Sequence, residues 1–159
     1  MMSSSFITAL RMPLRAALAA VLAITIARYM RLEFPLYALI GAVIVTDLSA
    51  TRTRQLGLAR FAGTLLGAAL GAMVSSAFGH LQHFRSLGIG IGILAAMLLS
   101  NLLGMKDAAK VAGYVCGIVL LNHTDQPWSY ALQRTIETIL GIGAAVLVSL
   151  IPKLDDVER

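Results

Sequence analysis

The stretch Arg60-Phe61-Ala62-Gly63-Thr64-Leu65-Leu66-Gly67 recurs 74 positions later as Arg134-Thr135-Ile136-Glu137-Thr138-Ile139-Leu140-Gly141. The correspondence runs on from Val74-Ser75 to Val148-Ser149, and the same offset carries Ala38, Ile44 and Val45 onto Ala112, Ile118 and Val119. It also carries the apolar segment that begins near Met12 onto the one that begins near Ser86. A match at fixed period is the mark of internal duplication. Apolar residues coincide by chance easily, so the weight falls on the matching Arg, Thr and Ser. The chain therefore reads as two related halves of three segments each, over about residues 12–79 and 86–153, inside a single domain of 159 residues.

The nature of the segments follows from composition. Hydrophobic residues make up 58% of the chain and charged residues 13%, with a mean hydropathy of +0.81, which excludes an ordinary soluble globule. The net charge of +5 is scattered between apolar segments without aromatic interleaving. That is the pattern of topogenic charge, and no nucleic-acid partner is expected. Cys116 lies inside an apolar run and reads as a small packing residue, with nothing for a disulfide framework.

Lipid leaves an open strand's backbone unsatisfied, so all six segments are expected to be helices. They cover about residues 12–30, 34–48, 60–79, 86–105, 108–122 and 127–152. The fourth is the longest uncharged stretch and should cross a bilayer core, which takes about 20 residues. Arg11 and Arg15 before the first run also suit a cleaved signal peptide, but cleavage would remove the partner of the fourth segment and break the repeat. Alternate loops carry nine Arg and Lys on one side (Arg11, Arg15, Arg52, Arg54, Arg60, Lys106, Lys110, Lys153, Arg159) and four on the other (Arg28, Arg31, Arg85, Arg134). The positive-inside rule then places both termini in the cytoplasm. Three spans per half is an odd number, so the second half enters from the opposite side. The expected fold is an all-α integral membrane protein of six transmembrane helices in two inverted three-helix repeats.

Gly63, Gly67 and Gly71 recur every fourth residue, and Gly141 extends the pattern to the sixth segment. Such stripes let helices pack closely in membranes, and helix packing is the expected role. Arg60 and Arg134 are read as heading their helices, where a positive charge opposes the helix dipole. Asp47, Glu137 and Lys110 stand near them in the sequence order of the spans. Two readings remain open: interfacial anchors and structural ion pairs, or a site for an anion with Arg60, Arg134 and Lys110 along its path and Asp47 or Glu137 balancing charge or carrying a proton. The second and fifth segments have short uncharged runs at matching places in the two halves, which in inverted-repeat transporters points to the translocation site. Tyr29, Tyr37, Trp128 and Tyr130 suit an interfacial belt.

His80, His83 and His123 come without an HExxH pattern or a carboxylate cluster and read as solvated loop residues, so neither metal nor cofactor is expected. No Ser-centred elbow or phosphate-binding loop occurs, and no enzymatic activity is expected.

Arg60-x-x-Gly63-Thr64-x-x-Gly67-x-x-x-Gly71, with Arg134-x-x-Glu137-Thr138-x-x-Gly141 leading to Pro152, resembles the six-helix membrane block of the fusaric acid resistance family of aromatic acid exporters. Val43-Ile44-Val45-Thr46 followed by an Arg-rich stretch fits the same pattern. That family is distantly related to aluminium-activated malate channels. The resemblance implies efflux of aromatic carboxylates across a bacterial inner membrane, driven by the proton gradient. A passive anion channel and a non-transporting membrane subunit are the alternatives. Some larger members carry two such blocks in one chain, so a homodimer is the expected assembly here.

Overall fold

The computed structural model describes residues 4–78, 85–122 and 125–151. His80, His83, His123, Pro152, Lys153 and Arg159 lie outside the described residues. Among the described residues six α-helices follow in chain order: α1 (Ser4–Tyr29), α2 (Pro35–Val45), α3 (Ala50–Phe78), α4 (Arg85–Leu102), α5 (Ala109–Asn122) and α6 (Pro127–Ser149), with a 3-10 turn at Lys106–Ala108 leading into α5. Among the described residues three helical stretches are long and apolar enough to cross a membrane: Leu10–Tyr29, Ala50–Ala77 and Pro127–Ser149.

The other helices are shorter. At about 1.5 Å per residue, the 11 residues of α2 and the 14 of α5 reach roughly 16 and 21 Å, against a hydrocarbon core of about 30 Å. The expectation for the fourth segment needs correction. Helix α4 stops at Leu102 because Gly104, at φ 76°, turns the chain. Gly104 N–H donates to Asn101 O and Met105 N–H to Ser100 O, at 3.0 and 2.9 Å, the two bonds of a Schellman motif. The Ser100 hydroxyl donates to Met105 O as well, at 2.9 Å.

Helix α3 departs from expectation at its other end. It begins at Ala50, so Arg52 and Arg54 belong to its first turns and not to a loop, and Arg60 lies well inside it. Hydropathy overlooks the Arg-rich start, but Ala, Arg, Gln and Leu are strong helix formers. The start is also capped: Asp47 Oδ1 accepts from Ser49 N–H at 3.0 Å, and Ser49 Oγ accepts from Arg52 N–H at 3.4 Å. Arg134 likewise sits inside α6, seven residues after Pro127. Neither Arg heads its helix, so the dipole argument against them does not apply.

The chain packs as two compact units whose boundaries fall inside α3 and α6, at Leu58/Ala59 and Ile136/Glu137. The first unit contains α1, α2, the start of α3 and the end of α6. Its core joins Ala19, Ala23 and Ala27 of α1 to Ala38, Ala42 and Val45 of α2 and to Ala144, Ala145 and Val148 of α6. The second unit contains the rest of α3, with α4, α5 and the start of α6. In it Ala96, Ala112, Cys116 and Leu120 form one cluster, and Ala68, Ala72, Val115 and Ala131 another.

Small residues fill both interiors, while Leu18, Val21, Leu65, Met73, Leu94, Leu98 and Leu147 are exposed. In water this distribution would be an aggregation surface. In lipid it is the expected one, because close backbone packing and not apolar burial joins the helices. Tyr29 and Trp128 are exposed, but Tyr130 is buried and does not belong to an exposed belt.

Candidate functional site

Helix α2 is held at both ends by buried charges. At its start Phe34 is the N-cap residue and has no side-chain cap of its own, with Pro35 following. The Phe34 N–H donates instead to Glu137 Oε1 at 2.8 Å, and Glu137 is 0% exposed. A carboxylate there answers both the orphan donor and the positive end of the helix dipole. At the other end Arg15 Nη1 donates to Asp47 O at 3.1 Å and to Leu48 O, just beyond the helix, and Arg15 is also 0% exposed. A guanidinium suits the negative end for the same reason.

Glycines set the closest approaches between helices. A Cβ at Gly67 would stand 2.3 Å from Ala112 O in the second unit, and a Cβ at Gly141 would stand 2.3 Å from Ala38 O in the first. Gly67 and Gly141 are counterparts in the 74-residue repeat, and so are Ala112 and Ala38. The rule holds one turn earlier: Gly63 meets Ala108 O, where its counterpart Glu137 bonds the counterpart Phe34. Gly71 packs on Val119 and Cys116. In each unit the third helix of one half therefore lies on the second helix of the other.

The polar residues of the repeat are all inside. Arg60 and Arg134 are 3% and 2% exposed, and Thr64, Ser75, Thr138 and Ser149 are buried with them. Both arginines belong to the second unit. The Nε of Arg60 and the hydroxyls of Thr64, Ser75 and Thr138 make no hydrogen bond among the described residues. Other candidates sit elsewhere. Lys110 is exposed on α5, and the Asp47 carboxylate caps the start of α3, with its own N–H donating to Thr53 Oγ1 at 3.0 Å. No cluster of three or more metal-ligating side chains occurs among the described residues.

Sequence reasoning counted Arg15 among the flanking charges and so missed its role. Its place inside a run of apolar residues was the available signal, since an ionisable side chain within a span is functional or specifically paired by default. Thr64, Thr138 and the two serines served only as markers of the repeat.

Buried Arg and Glu, glycine-ridged contacts and an apolar exterior define a multi-pass helical membrane protein. Within that class the chain belongs to the fusaric acid resistance protein family, whose model matches residues 9–158. Among curated proteins it is similar to the Uncharacterized transporter YdhK of Escherichia coli strain K12 and of Escherichia coli O157:H7, at 28% identity over 159 residues. The Salmonella typhimurium strain LT2 protein of that name is 27% identical over 157 residues. In each case the match covers 92% of this chain and 23% of the relative, so the chain spans about a quarter of the length of these proteins. No solved structure matches.

Proposed function

We propose that this chain is the six-helix membrane block of a transporter that exports organic carboxylate anions, aromatic ones in particular, across a bacterial inner membrane with proton coupling. The observation that carries the reading is the burial of Arg60 and Arg134, at 3% and 2%, inside the long helices α3 and α6. On insertion scales an Arg at mid-membrane costs about 2.5–3.5 kcal/mol, and such residues face a bundle interior or a watered path. A guanidinium binds a carboxylate through two parallel hydrogen bonds and stacks on an aromatic ring, so it meets both features of an aromatic acid. Glu137 supplies a buried carboxylate three residues after Arg134 and is the candidate for charge balance or proton coupling.

The transporter names of the similar proteins support transport in place of catalysis. The inverted-repeat arrangement draws support from the offset-related contacts of Gly67 with Ala112 and of Gly141 with Ala38, and from the matching short helices α2 and α5. Cytoplasmic termini and a homodimer complete the reading.

The test is benzoate flux in liposomes containing the purified protein, with and without a pH gradient. Flux should require the gradient, and it should fall about tenfold or more in Arg60→Lys and Arg134→Lys, which keep the charge and lose the fork. Normal flux in folded Arg60→Ala and Arg134→Ala would remove both residues from the mechanism. Gradient-independent flux would replace coupled export with passive conduction.

A further inference from the structure

A buried hydroxyl on a helix ordinarily satisfies itself by bonding back to the carbonyl one turn earlier. This chain does so repeatedly. Buried Thr46 donates to Ala42 O and buried Ser149 to Val146 O, each at 2.7 Å, and half-buried Thr135 donates to Ala131 O and exposed Thr25 to Val21 O, each at 2.8 Å. Thr64 and Ser75 on α3 do not, although they are 1% and 5% exposed and their hydroxyls make no hydrogen bond among the described residues. Their own carbonyls one turn back lie within reach of an ordinary rotamer.

The helical period puts Thr64 one turn after Arg60 and Ser75 three turns after Thr64, so the three share one stripe of α3 that extends over about 22 Å at 1.5 Å per residue. Within the second unit this stripe is flanked on one side by Gly63 and Gly67 and interrupted by Gly71, all of which pack on α5. On its other side Ala68 and Ala72 cluster with Val115 of α5 and Ala131 of α6. The stripe thus faces the seam between α5 and the start of α6.

We infer that Thr64 and Ser75 are anion-selecting residues, whose hydroxyls donate to the carboxylate as it passes along α3 from Arg60. This rests on the carboxylate-transport reading above and adds the selectivity ligands to it. A hydroxyl can donate to a carboxylate where a backbone carbonyl cannot, and the positive charge of Arg60 at the head of the line favours an anion over a cation that the same hydroxyl oxygens could otherwise bind. The alternative for a buried hydroxyl with no ligand is plain cost, and its removal would then be neutral or stabilising without functional consequence.

The experiment compares wild type with Thr64→Val, Thr64→Ser and Ser75→Ala in liposomes, measuring the half-saturation concentration for benzoate and the melting temperature of each protein without benzoate. Thr64→Val keeps the shape and deletes the donor. Its half-saturation concentration should rise about tenfold, the equivalent of one lost hydrogen bond to a charged group, while its melting temperature stays level or rises. Thr64→Ser should restore wild-type half-saturation, and Ser75→Ala should show a smaller rise in the same direction. Half-saturation within twofold of wild type in both Thr64→Val and Ser75→Ala would overturn the inference. If Thr64→Val does not insert, Thr64→Ala carries the same criterion. Loss of flux in Arg60→Ala together with normal Thr64→Val and Ser75→Ala would defeat this inference alone. Normal flux in Arg60→Ala would defeat the carboxylate reading on which it rests.

Discussion

Helices α2 and α5 correspond under the 74-residue offset and each meets a glycine of its neighbour, yet their units secure the helix starts by different means. In the first unit α2 is clamped by charge, with Glu137 on the Phe34 N–H and Arg15 on the carbonyls of Asp47 and Leu48. In the second unit the counterpart of Glu137 is Gly63, and the start of α5 lies directly against the α3 backbone, with Ala108 O where a Cβ on Gly63 would have to sit. One backbone plan tolerates either a side chain reaching across or nothing in between. The charged solution carries a desolvation cost and responds to its surroundings. The glycine solution is electrically silent and brings the two backbones into direct contact.

The sharpest way to break the contrast is to remove the clamp. Arg15→Ala should leave two carbonyls without their donor, at roughly 1–3 kcal/mol for each buried unsatisfied group, and Glu137→Ala should strand the Phe34 N–H with a similar cost for one group. Unfolding by detergent titration of the purified protein measures both. Losses below about 0.5 kcal/mol would show that solvent or lipid headgroups reach the ends of α2.

Next in size are the counterpart glycines, one in each unit. Gly67→Ala and Gly141→Ala each force a methyl group onto a backbone oxygen, and overpacking of this kind costs about 1–3 kcal/mol. The two losses should be alike, because the contacts are counterparts. Gly88→Ala and Gly143→Ala meet nothing within 4 Å and should be neutral or stabilising, by up to about 1 kcal/mol from helix propensity. Unequal losses at Gly67 and Gly141 would mean that the likeness of the two units is superficial.

The smallest effect concerns the ends of α1 and α4. Both close with Schellman bonds: Arg31 N–H donates to Arg28 O and Leu32 N–H to Ala27 O, each at 3.0 Å, matching the pair around Gly104. Gly104 takes the left-handed position without strain, whereas Arg31 holds it at φ 53°. The left-handed region costs an L-residue about 1–2 kcal/mol, so Arg31→Gly should stabilise the protein by somewhat less than that, near 1 kcal/mol after the entropy of the added glycine. A thermal melt of the variant against wild type is sufficient to read it.

The membrane class and the order of the helices among the described residues were legible in the chain itself, because apolar run length and residue periodicity are local properties that lipid reads directly. The polar positions that match across the repeat, Arg60, Thr64, Ser75, Arg134, Thr138 and Ser149, are all buried. Hydropathy misplaced the start of α3, where helix propensity and the Asp47–Ser49 cap outweigh charge, and it overran the end of α4, which a single left-handed glycine decides. Only tertiary structure determined which charges are partnered and by what. Arg15 meets carbonyls 32 and 33 positions away, and Glu137 meets a backbone N–H 103 positions away. Contacts over such separations depend on how helices are laid against one another. One-dimensional periodicity records the face a residue occupies, and leaves open what that face will meet.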